Sequence, residues 1–533
     1  MPNSDKKILT LDELSVKSKE CRDSGGKVVL CHGTFDLIHA GHIRYLKSAC
    51  SEGDFLFVTV TADEFVNKGP GRPVFSQDLR VENLSYLNFV DFVAVSNAST
   101  AVNVLSEIKP YAYVKGPDYK NMEDDVTGNI HAEKKAVEAH GGKIVFTDDI
   151  NFSSTSLLNE YFGVFPTETK DYLRSFRQKY SSGEIIGMLQ SLGNLNVLVV
   201  GDAIVDEYHY VEQLGQSSKG ANLSVKFTDK EQFAGGSLAV ANHLAGFVES
   251  VTVVTGLGKQ NSHEEFIRSK LKKNVILQPF YFEDAPTVVK RRYVDEDLVK
   301  LFEVYFYNDH PSPEGINSEV CCWLEKNTTK FDLVIAPDFG NGFISTGMIK
   351  KLCDHARFLA VNTQVNSGNR GYHSINRYPH ANFVSLNGPE LRVATHNRND
   401  SIEKLAKELA EKMGVDQFAV TLGSEGAFLF ERDRNTIHKI PVLSTKVLDR
   451  IGAGDTFLSL AGLCLGAGLA PEVALFAGSA AAALDVQVVC NRDSVIPVNL
   501  YKYIDGYDRV SSTNHLHVQC CCGTPRKQSN LWS

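Results

Sequence analysis

A chain of 533 residues exceeds what one compact core organises, so two or three domains are expected, and 43% hydrophobic with 22% charged residues is an ordinary globular composition. A net charge of −9 offers no general attraction for nucleic acid or an anionic membrane surface, so any bound phosphate must be held by local groups. No apolar h-region follows MPNSDKKILTLDEL, and the longest apolar stretch, 457–488, is interrupted by Pro471, Glu472 and Asp485; neither a signal peptide nor a membrane span is expected, and a cytoplasmic protein is.

Residues 1–26 read as an N-terminal extension. From Lys27 short β-branched runs alternate with helix-length amphipathic stretches: strands are expected at 27–35, 55–62, 91–96, 112–116 and 143–148, and helices at 42–50, 76–87, 102–109 and 131–141. Such alternation predicts an α/β domain over 27–162, its parallel sheet covered on both faces. Over 163–194 the β-signals stop, and a charged segment is expected to link the domains and to dock a helix on the second one. A strand at 197–202 restarts the α/β pattern, which runs to about 507; the aperiodic 508–533 reads as a disordered tail. The 11 cysteines show neither zinc nor disulfide spacing, so a reducing compartment fits, and the Cys520, Cys521, Cys522 triplet falls in the tail. No G-x-x-x-x-G-K-[ST] loop occurs, so phosphate binding must come from other motifs.

The first is HGTFDLIHAGH, residues 32–42, between a strand and a helix. Here the backbone of Gly33, Thr34 and Phe35 can approach phosphate closely, and His39 and His42 flank the positive end of the helix, able to donate hydrogen bonds to charge that builds at an α-phosphorus. The string resembles the signature of the cytidylyltransferase-like nucleotidyltransferases, and the resemblance runs from about 27 to 162. It implies a Rossmann-like fold, a basic loop at 68–73, a nucleotide segment at 114–119 containing Lys115, and a second motif at 152–156. There Ser153, Ser154 and Thr155 would hold the β- and γ-phosphates. Where this family carries Lys or Arg after the alanine of the first helix, this chain has Cys50. Either Lys47, one turn earlier, supplies that cation or phosphate is held less tightly.

The second is DRIGAGDTF, residues 449–457, ahead of an Ala/Gly-rich helical region. Gly452, Ala453 and Gly454 at a helix N-terminus make an anion hole of backbone N–H groups, and Asp455 can accept the proton of an attacking hydroxyl. The stretch 196–507 resembles the ribokinase-like (PfkB) carbohydrate kinases. That resemblance implies that Asp202 and Asp206 bind sugar hydroxyls and that Gly235, Gly236 and Asn242 lie where the backbone nears the sugar. It also implies that Lys290 and Arg292 take a sugar phosphate, that Asn387 and Glu390 position phosphate and Mg2+, and that Thr421 and Gly423 lie near the nucleotide. Two departures bear on sugar and nucleotide choice: Asn362-Thr363-Gln364 stands where close relatives carry Asp-Pro-Lys, and Cys490-Asn491-Arg492-Asp493 replaces a glycine-rich turn.

As a pair, the domains resemble the bifunctional heptose kinase/adenylyltransferases of ADP-heptose synthesis, in reversed order. The resemblance implies phosphorylation of heptose 7-phosphate at its anomeric hydroxyl and AMP transfer onto the 1-phosphate. ATP and Mg2+ would be required, the partners would be a sugar phosphate and a nucleotide, and a homodimer is left open. Two alternatives stand beside it: CTP as donor with another sugar or polyol, and a non-catalytic nucleotide-binding scaffold, against which the retention of His39, His42 and Asp455 argues.

Overall fold

The computed structural model describes residues 6–66, 73–98, 100–116, 129–147, 165–216, 220–308, 313–369, 372–444, 447–489 and 492–508. The apolar runs of the N-terminal half form β1 (Val28–Gly33), β2 (Phe55–Thr61), β3 (Phe92–Ser96), β4 (Ala112–Lys115) and β5 (Lys143–Phe146), and the stretches around them form α1 (Leu11–Asp23), α2 (Ala40–Cys50), α3 (Gln77–Ser85), α4 (Val102–Ile108) and α5 (Asn129–Glu138). All neighbouring strands are parallel, in the order β3-β2-β1-β4-β5. Helices must cover both faces of such a sheet, which is why the strands are continuously apolar. Val29, Cys31 and Val58 pack with Leu46 and Val81 on one face; Val28, Leu30 and Phe57 pack with Leu14, Leu105 and Val137 on the other. The strand order reverses between β1 and β4, and in an open α/β sheet the crevice beyond the carboxyl ends at that point is where ligands bind.

Within the supposed extension, residues 6–23 are part of this domain. Thr10 and Glu13 form a reciprocal capping box that starts α1, whose Leu14 and Cys21 are buried in the core. Ahead of it, Leu9 N donates to Val93 O at 2.9 Å and Val93 N to Lys7 O at 2.8 Å, so the chain adds itself to the β3 edge. The Thr-x-x-Glu spacing before an apolar position was the available signal.

The link contains α6 (Thr167–Arg177) and α7 (Ser182–Gln190), whose Leu173, Phe176, Ile185 and Leu189 belong to the core of the C-terminal half; Phe176 stacks on Phe476 at 4.6 Å. That half is built on a nine-stranded sheet. Its strands are β6 (Asn196–Val200), β9 (Ser250–Gly258), β10 (Val275–Phe282), β13 (Leu333–Asp338), β14 (Leu359–Thr363), β15 (Phe383–Asn387), β16 (Gln417–Thr421), β17 (Ala427–Glu431) and β18 (Thr436–Ile440). The order is β10-β9-β6-β13-β14-β15-β16-β17-β18, parallel through β16 and antiparallel beyond. One face carries α8 (Ser237–Leu244), α9 (Glu264–Lys270), α14 (Ala453–Gly466), α15 (Pro471–Asp485) and α16 (Pro497–Asp508); the other carries α10 (Glu314–Asn327), α11 (Thr346–His355), α12 (Gly388–Thr395) and α13 (Ile402–Met413). The Ala/Gly-rich stretch is thus two buried helices, and no helix among the described residues is long and apolar enough to cross a membrane.

A second sheet, order β12-β11-β7-β8, joins β7 (Ala203–Gln216), β8 (Leu223–Gly236), β11 (Val288–Val294) and β12 (Lys300–Phe306). It leaves the main sheet directly after β6 and, with the carboxyl edge of that sheet, lines one cleft. The fold class is α/β in both halves, as expected. The tail, 509–533, lies outside the described residues.

Candidate functional site

At the carboxyl end of β1 the chain turns through Phe35, whose φ of +49° is a strained backbone for a non-glycine residue. Arg80 of α3 holds that turn. Fully buried, it donates from Nη1 to Thr34 O, from Nη2 to Thr61 O at 2.9 Å, from Nε to Phe75 O at 2.9 Å, and pairs with Asp63. Asp36 ties the same turn to the residues after the basic loop, accepting from Val74 N at 2.8 Å and Phe75 N at 3.0 Å. His39 is the N-cap of α2: its Nδ1 accepts from Gly41 N at 3.0 Å, so the proton sits on Nε2. Nε2 is buried and has no partner among the described residues, and burial holds the imidazole below its ordinary pKa, which favours the neutral form. The His42 ring lies 4.1 Å from that of His39 and 5.4 Å from Phe35. The structure therefore assembles an imidazole pair, one member with a proton to give, at the helix end and at the point where the strand order reverses.

Other expected residues fare differently. The Lys115 ammonium is 2.9 Å from Glu133 Oε2, in a buried pair that Tyr113 OH joins at 3.1 Å. Lys47 is exposed in the last turn of α2, about 12 Å along the axis from the His39 cap at 1.5 Å per residue, outside the cluster of Phe35, His39 and His42. Residues 68–72 and 117–119 and the hydroxyls of Ser153, Ser154 and Thr155 lie outside the described residues. Arg80 was not foreseen, although an arginine on the Val81 and Leu84 face of α3 was a visible anomaly. Arg80→Met should destabilise the domain by about 2–5 kcal/mol, because Asp63 and three carbonyls lose their donor together. Urea unfolding with an unchanged midpoint would show that the turn holds itself.

In the C-terminal half a cleft of about 1490 Å³ lies between the sheets. From the main domain Asn387, Glu390, Thr421, Gly423, Gly452, Ala453, Gly454 and Asp455 line it; from the second sheet Asp206, Gly236, Lys290 and Arg292 do. Gly452, at φ +98°, caps α14 and turns the chain so that 452–454 open the helix, with Asp455 in its first turn. Burial, then the charges of Asp206 and Glu390, push the Asp455 carboxyl up to about 7, against the pull of Lys290. Lys290 is itself buried, its ammonium 5.6 Å from the Tyr305 ring and 5.8 Å from Phe339, and burial lowers its pKa. A proton acceptor poised near neutrality, a desolvated cation and a set of helix-end amides are thus brought into one cleft.

The other expected residues have definite partners in the fold. Arg292 pairs with Asp206 and, at 3.2 Å, with Glu303, and like Lys290 it lines the cleft. Gly235 lies against Asp206: a Cβ there would come within 1.9 Å of Asp206 Oδ2. Asp202 lies beneath the cleft, buried, accepting from Phe343 N at 3.2 Å and Asn341 N at 3.4 Å; burial and then the Asp338 charge push its carboxyl up to about 6. Asn242 is outside the cleft altogether, bridging the end of α9 by donating to Lys270 O at 3.0 Å and accepting from Lys272 N at 3.1 Å. Asn387 and Glu390 form the capping box of α12, each accepting from the other's backbone N–H at 2.8 Å, and burial pushes the Glu390 carboxyl up to about 7. Asn362 and Gln364 also line the cleft. Arg492 pairs with Glu231 of β8; Cys490 and Asn491 lie outside the described residues.

Among the described residues no group of three or more His, Cys, Asp or Glu could cage a metal. Magnesium rarely needs one, since it is usually bound by one or two carboxylates, water and substrate phosphates. Glu390, a buried carboxyl facing the cleft, fits that manner of binding.

Residues 194–497 match the family model described as pfkB family carbohydrate kinase, and residues 30–161 the one described as cytidylyltransferase-like. The Bifunctional protein HldE of Pseudomonas fluorescens (strain SBW25) is 37% identical over 159 residues, 30% of this chain and 32% of that protein. The protein of the same name from Pseudomonas putida (strain GB-1) is 38% identical over 159 residues, with the same coverage. The chain thus spans about a third of the length of these curated relatives, 32% of each. Among solved structures, a ribokinase from Thermotoga maritima is 18% identical, covering 58% of this chain and 99% of its own, with a TM-score of 0.47.

Proposed function

Since the chain belongs to the pfkB family of carbohydrate kinases, we propose that its C-terminal half phosphorylates a sugar at the anomeric hydroxyl with ATP, and that its N-terminal half transfers a nucleotidyl group from ATP to the sugar 1-phosphate, releasing pyrophosphate. The observation that carries the reading is Asp455, held near 7 in the cleft beside the amides of 452–454. The acceptor hydroxyl gives its proton to Asp455 as its oxygen attacks the γ-phosphorus. Gly452, Ala453 and Gly454 donate to the charge on the moving phosphoryl group, and Lys290 holds the anionic substrate against the same centre. Glu390 would help to hold magnesium, which would offset phosphate charge. In the other half His39 donates from Nε2, and His42 beside it, to the α-phosphoryl oxygens while the sugar phosphate displaces pyrophosphate directly.

Heptose is the substrate class the sequence resemblance supports. A second reading, another sugar or polyol with CTP as donor, draws on Asn362 and Gln364, which line the cleft at the position of the Asp-Pro-Lys departure. Both are tested by incubating the full chain with a panel of sugar 7-phosphates, and separately of sugar 1-phosphates, with ATP or CTP, and weighing the products. The expected products are a sugar 1,7-bisphosphate and an ADP-sugar. CDP-sugar alone would favour the second reading, and no conversion in either panel would refute the proposal.

A further inference from the structure

The loop that leads into the anion hole is gripped from the second sheet. Asp449, three residues before Gly452, is buried, and two groups from that sheet reach it: Tyr208 of β7 donates to Oδ2 at 2.9 Å, and Lys300 of β12 donates to Oδ1 at 2.9 Å. Asp449 Oδ1 also accepts from Ile451 N at 3.2 Å, which bends the loop toward Gly452. Burial alone would raise this carboxyl, but the Lys300 hydrogen bond and charge and the Tyr208 hydroxyl hold it below the ordinary value, so it is ionised. Around it Tyr208, Phe233 and Val294 of the second sheet pack with Ile451 and Val489 of the main domain.

The substrate-facing groups share this face of the sheet. Asp206 and Tyr208 are two apart on β7 and so point the same way, and on β11 Lys290 pairs in register with Asp206 and Arg292 with Tyr208. The Arg292 guanidinium lies 5.6 Å from the Tyr208 ring. Lys290 and Asp206 therefore sit on neighbouring strands, and the strand that carries Asp206 also carries Tyr208, which holds Asp449. An Asp449 carboxylate left without Lys300 would put an uncompensated negative charge beside the place where nucleotide phosphates must bind.

We propose that Lys300 is a positioning residue for phosphoryl transfer: acting through Asp449, it couples the seating of the second sheet to the ordering of the 452–454 amides. The proposal rests on reading the cleft as a kinase site, and it makes acceptor binding and nucleotide binding mutually reinforcing.

Lys300→Met tests it, because the side chain is partly exposed and its loss removes no core packing. Calorimetry with the magnesium complex of AMP-PNP, which needs no knowledge of the sugar, should show affinity weakened about tenfold. With heptose 7-phosphate and ATP, kcat should fall on the order of 10- to 100-fold, as misplaced catalytic groups cost, and the tightening of sugar binding by AMP-PNP should be lost, as reciprocal coupling requires. Lys300→Arg, which restores the charge, should recover most of these losses. Wild-type AMP-PNP affinity and kcat in Lys300→Met would overturn the proposal, and so would an equal loss in Lys300→Arg at an unchanged melting temperature. Should the wild type bind AMP-PNP but phosphorylate no sugar offered, the choice of sugar fails while the affinity of Lys300→Met still decides the coupling.

Discussion

Asp455→Asn should lower sugar phosphorylation on the order of 10²–10⁴-fold, the usual worth of a positioned general base, and leave nucleotidyl transfer to a supplied sugar 1-phosphate nearly unchanged. The substitution keeps the size of the side chain at the start of α14 and takes away only the proton acceptor. The wild-type pH profile carries the same information. The base works deprotonated, and burial with the charges of Asp206 and Glu390 pushes it up to about 7, so kcat should rise with pH through that value and level off above it. Glu390 titrates in the same range, so the limb belongs to the group of carboxyls rather than to one of them. The stability consequence has the opposite sign. Between the ordinary value of 3.8 and about 7 the folded state binds a proton that the unfolded state has released, so the fold loses stability as pH rises through that window. Asp455→Asn escapes this loss and should melt no lower than the wild type above pH 7 while being a far poorer kinase. A variant that kept full turnover, or a wild-type profile flat across this window, would remove Asp455 from the role of base.

His42→Ala should slow nucleotidyl transfer on the order of 10²–10³-fold, as expected for loss of one donor to the α-phosphoryl group, with phosphorylation intact. His42 also packs against the rings of His39 and Phe35, so truncation leaves a gap at a strained turn. His42→Asn separates the two effects by retaining a donor at less volume, and should recover part of the rate. Both variants are assayed for both half-reactions in protein that still melts cooperatively. The two centres are built on separate sheets with separate cores, so loss of phosphorylation in His42→Ala, or of transfer in Asp455→Asn, would mean that the sites are coupled and that the two-enzyme reading is wrong.

From the sequence alone came the alternation of strands and helices in the N-terminal half, and the two phosphate turns. These features depend on neighbours in the chain: a β-branched run seeks burial on both faces, His39 caps the helix that begins beside it, and Gly452 supplies the positive φ that opens α14. Tertiary structure alone decided which charged side chains pair with one another. Lys115 is met by Glu133 of α5, and Arg292 by Asp206 and Glu303 from neighbouring strands. Asn242 had the right spacing after the glycine pair, yet α8 directs it to the backbone at the end of α9, and Arg80 was invisible as a support because its acceptors come from three separate segments. The physical reason is the cost of burying a charge. A buried ion must find its counter-charge or carbonyls, those partners come from distant parts of the chain, and only the packing of elements determines which pairs form.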